Sequence, residues 1–184
     1  IVASAWLFEK RAMSLAFAPA LLINLIIIAP YFVPMAPPEG STPPLRVMIL
    51  NIYTENENYQ AVVEQILSQE PDLVFISEAE PPLMTVFEQQ LSTQYPYVLD
   101  ESTFGTRGQA WLSKHPFTSE GVPVGGGRRS RNLGVIHLTW QDQPITLAGV
   151  HPIAPLGQRW AESRNDYLND AKAWCLQQPD APFI

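Results

Sequence analysis

RVMILNIYTENENYQAVVEQILSQEPDLVFISEAEP, residues Arg46–Pro81, is the stretch that decides the fold. Leu45 to Ile52 is apolar and β-prone, which predicts a strand. From Asn58 to Gln69 the apolar residues Tyr59, Val62, Val63, Ile66 and Leu67 recur at helical spacing. Pro71 stops that helix. Asp72 to Ser77 follows as a short apolar run of the kind buried on both faces of a sheet. Strand, helix and strand in this order predict two neighbouring strands with a helix packed outside them.

Toward the C-terminus the next predicted element is a helix over Pro81 to Gln94, with Met84, Phe87 and Leu91 on one face. The texture then turns strand-rich. Predicted strands are Tyr97 to Leu99, Gly108 to Leu112, Leu133 to Trp140 and Pro144 to Val150. His115-Pro116, Gly125-Gly126-Gly127 and Gln143-Pro144 punctuate them as turns. A last helix, Gln158 to Gln177, places Trp160, Tyr167, Leu168, Ala171 and Trp174 on one side. No internal repeat is visible. The class is α/β, with a mixed sheet and helices packed outside it.

Toward the N-terminus, Pro34 to Pro44 (PMAPPEGSTPP) reads as a semi-rigid spacer. Before it, Ala12 to Pro38 contains no charged residue, and Leu15 to Val33 is dense in Leu, Ile, Phe and Ala. About 20 apolar residues span a bilayer as a helix, so a transmembrane helix is expected over 12–33. Residues 1–11 then read as the end of a preceding membrane segment and a short basic loop. Lys10 and Arg11 would stay cytoplasmic, placing the 45–184 domain on the extracytoplasmic side of a membrane.

The chain has 184 residues, 11 basic against 18 acidic, for a net charge of −7. Phosphate contacts need Lys and Arg, so this balance disfavours generic nucleic-acid binding. A single cysteine, Cys175, excludes an intrachain disulfide.

Three polar residues stand at the ends of apolar strands: Asn51, Glu78 and His151. Strand ends at a sheet rim are where α/β folds build sites. A carboxylate there suits a hard cation, since Mg²⁺ takes oxygen ligands. A histidine beside it can stabilise developing charge on a phosphoryl oxygen. Each also has a structural reading: Asn51 as a turn cap, Glu78 as a solvated residue before a helix, His151 as a satisfied rim histidine.

The quoted stretch resembles the opening of the endonuclease/exonuclease/phosphatase family: a strand ending in Asn, a helix, "PD" with apolar residues, and a strand ending in Glu. GTRGQAWLSKHPF is similar to the family's strand and turn of the form G-apolar-apolar-S-(R/K)-x-P. ITLAGVHPIAP is similar to its strand ending in His, and RWAESRNDYLNDAKAW to the helix that follows. The four blocks run in order from about Leu45 onward.

The resemblance implies the first half of a four-layer α/β/β/α sandwich and a Mg²⁺- or Mn²⁺-dependent phosphoester hydrolase. The substrate would be nucleic acid, phospholipid or a lipid-linked phosphate, and the membrane itself a partner. No protein partner is implied. Glu78 would bind the ion, Asn51 would lie beside it and orient the phosphate, and His151 would contact that phosphate. The family's later G-D-x-N and terminal (S/D)-D-H motifs do not occur here. The resemblance therefore implies a piece of a longer protein that is inactive by itself. The alternative is a non-catalytic, membrane-anchored binding domain with the same fold.

Arg107, on a loop before a strand, is a candidate substrate contact. Arg128, Arg129 and Arg131, after a Gly-rich loop, could approach a phosphorylated substrate, but such a run more often reads as a solvated loop. GGG is no phosphate loop, because no Lys-Ser/Thr follows it. His115 reads as a turn residue, Trp160 and Trp174 as core, and Cys175 as buried packing.

Overall fold

A computed structural model describes residues 17–32, 43–125 and 130–178. The chain divides into two units, Ile1–Pro43 and Pro44–Ile184. In the first unit, residues 17–28 are α-helical and pass into a 3₁₀ turn at Ala29–Phe32. Asn24 Nδ2 donates to the Ala20 carbonyl (2.8 Å) inside the helix.

This corrects the expected transmembrane helix over 12–33 and the membrane localisation built on it. Among the described residues no helix is long and apolar enough to cross a membrane. The physical reason lies at Pro30, which has no N–H to continue the α-helical ladder, so the backbone tightens into a 3₁₀ turn at Ala29. Residues 1–16 and 33–42, where the remainder of the expected span, the preceding segment and most of the spacer fall, lie outside the described residues.

The second unit holds seven strands and three helices among the described residues. In chain order they are β1 (Val47–Asn51), α1 (Tyr59–Gln69), β2 (Leu73–Ser77), α2 (Pro81–Leu91), β3 (Tyr97–Glu101), β4 (Gln109–Ser113), β5 (Phe117–Val124), β6 (Arg131–Trp140), β7 (Gln143–Gly149) and α3 (Gln158–Cys175). One sheet has the order β1-β2-β4-β3 and the other β5-β6-β7. Among the described residues only β1 and β2 pair in parallel, across the α1 crossover. The other pairs are antiparallel.

Alternation along the strands builds three packed interfaces. On β2, Val74 and Ile76 face Val63 and Ile66 of α1 and Leu83 and Phe87 of α2. Leu73 and Phe75 point the other way, against Ile136, Leu138, Ile145 and Leu147 of the second sheet. Leu133 and Val135 on the far face of β6 meet Tyr167 and Ala171 of α3. An isolated helix as short as α1 is marginal in water. Burying Val63 and Ile66 supplies roughly 1.5–3 kcal/mol each, so packing decides the helix. Asn58 Oδ1 caps it by accepting from the Ala61 N–H (3.3 Å).

All four layers, helix, sheet, sheet and helix, are therefore present. The expectation of only a first half of the sandwich is corrected: the chain crosses to the second sheet at β5, and α3 covers that sheet's outer face. Two side chains tie the sheets together. Trp111 Nε1 donates to the Gly134 carbonyl (2.8 Å), and Gln109 Nε2 to the Asn132 carbonyl (3.1 Å). On β1 the sheet-facing side ends openly, with Ile49 73% exposed. Along α3, Tyr167 and Ala171 are buried and Trp174 packs beside them, but Trp160 in the first turn is exposed.

Below α2, the Tyr95 hydroxyl donates to the Pro71 carbonyl (2.9 Å) with its ring almost fully buried. Burial, then the charges of Asp72 and Glu70, push its ionisation up to about 12. The folded value lies above the ordinary one, so this stability is complete below pH ~10 and is lost as pH rises toward about 12. Tyr95→Phe should lower stability by about 1 kcal/mol at pH 7 through the lost hydrogen bond and its orphaned carbonyl. It should also flatten the alkaline loss, as urea unfolding between pH 8 and 11.5 would show. An unchanged alkaline limb in the variant would contradict the assignment.

Candidate active site

The parallel register Asn51↔Ser77 puts the ends of β1 and β2 side by side. Glu78, one residue further, has φ +63°, a left-handed turn that non-glycine residues adopt rarely. Such strain persists only where the surroundings over-determine it. Here they do. Asn51 Nδ2 donates to Glu78 Oε1 (3.1 Å) and the Thr54 N–H to Oε2 (2.9 Å). Asn51 Oδ1 in turn accepts from the N–H of Tyr53, itself at φ +58°.

His151 arrives from the other sheet. Its Nε2 lies 3.4 Å from Glu78 Oε1, and both side chains are largely buried, 21% and 12% exposed. Gly149 makes this approach possible. A Cβ there would sit 2.1 Å from Cε2 of Phe75, so only glycine lets the end of β7 close over the β2 ring. Burial, then the positive charge of Arg131, push the His151 imidazolium below the usual histidine range, against the opposing pull of Glu78. The ring is therefore neutral near pH 7 and keeps an N–H to donate.

The fold thus brings Asn51, Glu78 and His151 together. Arg107 stands on the β3–β4 loop, and its charge helps depress the Arg131 guanidinium, after burial as the larger cause. Arg131 departs from the solvated-loop expectation. It opens β6 on the face of Leu133 and Val135, and its guanidinium is partly buried against the rim. Strand alternation back from Leu133 is the signal that could have found it. Arg128 and Arg129 lie outside the described residues.

Sequence reasoning also passed over Glu80. Its Oε1 accepts from Thr54 Oγ1 (2.5 Å) and from the Gly105 N–H (2.8 Å). The Thr54 bond first, then the Gly105 bond, hold its carboxyl below the usual range. Glu80 thereby links the loop after β1 to the loop after β3.

Neither a family model nor a curated protein matches the sequence. Solved structures do. D. rerio TDP2 complexed with single-strand DNA product shares 17% identity, over 76% of this chain and 58% of that one, with a TM-score of 0.64. Sphingomyelinase C from Streptomyces griseocarneus shares 20%, over 77% and 61%, at 0.58. An endonuclease/exonuclease/phosphatase from Beutenbergia cavernae shares 18%, over 68% and 42%, at 0.53. The chain has the endonuclease/exonuclease/phosphatase fold. It spans about three-fifths of the length of the first two structures and less of the third.

In this fold the rim of Asn51, Glu78 and His151 lies where β1 and β2 end and where the chain leaves β7. Among the described residues no group of three or more His, Cys, Asp or Glu is placed to hold a metal ion. The rim offers one carboxylate, Glu78. That donor set suits Mg²⁺, which keeps several waters and takes one or two carboxylates plus substrate phosphate, better than an ion caged by protein.

Proposed function

We propose that this domain belongs to a Mg²⁺- or Mn²⁺-dependent phosphoester hydrolase whose reacting rim is Asn51, Glu78 and His151. One observation carries the reading: the carboxylate of Glu78, held on a strained backbone turn, meets an amide 27 residues earlier in the chain and an imidazole from the opposite sheet. In this reading Glu78 is the protein's ligand to the ion. The bound ion would supply Lewis-acid neutralisation of phosphoryl charge. Asn51 holds the carboxylate through Nδ2, and because Oδ1 is engaged by Tyr53, its part is positioning more than coordination. Neutral His151 donates its N–H to a phosphoryl oxygen. In this reading Arg107, on the β3–β4 loop, meets a second anionic group of the substrate.

The similar structures frame the substrate class. One holds a single-strand DNA product and another is named a sphingomyelinase. The net charge of −7 favours small or lipidic phosphodiesters over long nucleic acid. The second reading is a non-catalytic domain with this fold, which would keep the contacts among Asn51, Glu78 and His151 without turnover. On the first reading, the described residues supply only part of the ion's ligands, so catalysis belongs to the whole protein.

The test is hydrolysis of bis(p-nitrophenyl) phosphate by the whole protein with Mg²⁺, Mn²⁺ or EDTA, with sphingomyelin and a single-stranded oligonucleotide as further substrates. Expected are metal-dependent turnover abolished by EDTA and a preference for the small or lipidic esters. His151→Ala should lower kcat about a hundredfold with the metal dependence unmoved. Turnover indifferent to EDTA would count against the reading. No turnover with intact folding would favour the binding domain.

A further inference from the structure

The backbone of His151 is gripped from both sides. Its N–H donates to the Tyr167 hydroxyl (3.1 Å), a group of α3. Its carbonyl accepts from Arg131 Nη1 (3.1 Å). The same Nη1 donates to the Thr106 carbonyl (3.0 Å), and Nη2 lies 3.5 Å from Thr106 Oγ1. Thr106 belongs to the β3–β4 loop of the first sheet, whereas His151 follows β7 of the second. That loop is tied to the residues just after Glu78: Thr103 N–H donates to the Ala79 carbonyl (3.1 Å), and Gly105 N–H to Glu80. One side chain therefore joins the segment carrying His151 to the segment anchored beside Glu78.

We propose that Arg131 is a positioning residue that sets His151 against Glu78 by clamping the rims of the two sheets together. The chemistry fits arginine specifically. A planar guanidinium presents five N–H donors in a rigid fork and can serve two carbonyls and a hydroxyl at once. A lysine keeps the charge but is a compact point donor on a flexible stem. A partly buried guanidinium pressed by a second cation, Arg107, costs free energy, and these hydrogen bonds offset it. The clamp stands on geometry alone. Its catalytic consequence rests on the proposed phosphoesterase function.

The experiment is amide hydrogen exchange on the full chain, wild type, Arg131→Lys and Arg131→Met, with steady-state kinetics on bis(p-nitrophenyl) phosphate alongside. In Arg131→Met, exchange at residues 103–108 and at His151 should rise about tenfold, about 1.4 kcal/mol of local opening. Arg131→Lys should raise it at the same amides by less. Val74 and Ile76 in β2 should stay protected in both. The kinetics should lose kcat at nearly constant KM after normalisation to the folded fraction from circular dichroism, which removes the loss that general destabilisation would give. Unchanged local exchange in both variants overturns the clamp, as does a rise spread evenly into β2 in Arg131→Lys. Raised local exchange with wild-type kcat overturns the positioning of His151. If wild type shows no turnover, the phosphoesterase reading fails, and the exchange data still decide the clamp.

Discussion

Glu78→Gln is expected to reduce metal-dependent phosphodiester hydrolysis at least about a hundredfold, a loss of about 2.7 kcal/mol of transition-state stabilisation. Folding should survive nearly intact. The substitution keeps side-chain shape and the left-handed backbone at φ +63°, so the strain neither grows nor disappears. One carboxylate oxygen becomes an amide NH₂, which cannot accept from Asn51 Nδ2. The negative charge, which is what the proposed site would offer a divalent ion, is gone. The melting temperature should move by only a few degrees, because one partly exposed hydrogen bond contributes about 1 kcal/mol. Circular dichroism melting and a metal-titrated assay would show the two effects separately. Wild-type activity and metal dependence in this variant would remove Glu78 from the site.

The largest effect on stability is expected from Gly108→Ala. A Cβ at Gly108 would stand 1.8 Å from the Ala79 carbonyl oxygen and 2.8 Å from the Thr103 nitrogen. Both are backbone atoms fixed by hydrogen bonds: Ala79 N–H donates to the Gly108 carbonyl, and Thr103 N–H to the Ala79 carbonyl (3.1 Å each). A flexible side chain would swing away, but this backbone has nowhere to move without breaking the join between β4 and the chain after Glu78. Overpacking of this kind costs about 3 kcal/mol, or about 10 °C in melting temperature for a domain of this size. Because Ala79 adjoins Glu78, activity should fall with it. Gly121→Ala is the control, since a Cβ there meets nothing nearer than 3.4 Å. Equal melting temperatures for the two variants would refute the contact.

These residues also show which parts of the molecule local sequence could reveal. From Arg46 to Leu91 the periodicity changes cleanly, and each element there packs an apolar face, so β1, α1, β2 and α2 were legible. The same rule placed Asn51, Glu78 and His151 at strand ends. It missed β5, because FTSEGVPV is mostly exposed and carries Gly121 and Pro123, which a strand at a sheet edge tolerates. It misjudged Arg131, because charge clustering suggested solvent while the alternation set by Leu133 and Val135 turned the side chain to the rim. Hydropathy at 12–33 registered apolar residues but not the backbone limit at Pro30. Sheet order was hidden for a different reason. That β4 lies between β2 and β3, and that the chain then changes sheets, depends on contacts such as Trp111 to Gly134 between residues distant in sequence.

If Glu78 binds a divalent ion at the Asn51–His151 rim, Mn²⁺ added to the isotope-labelled protein will report it there. Paramagnetic broadening detects even weak, partly hydrated binding and needs no turnover. The expected result is selective loss of the Thr54, Glu78, Ala79 and His151 signals, reversed by excess Mg²⁺ and absent in Glu78→Gln. Broadening centred elsewhere, or unchanged at this rim when Glu78 is replaced, would contradict the assignment.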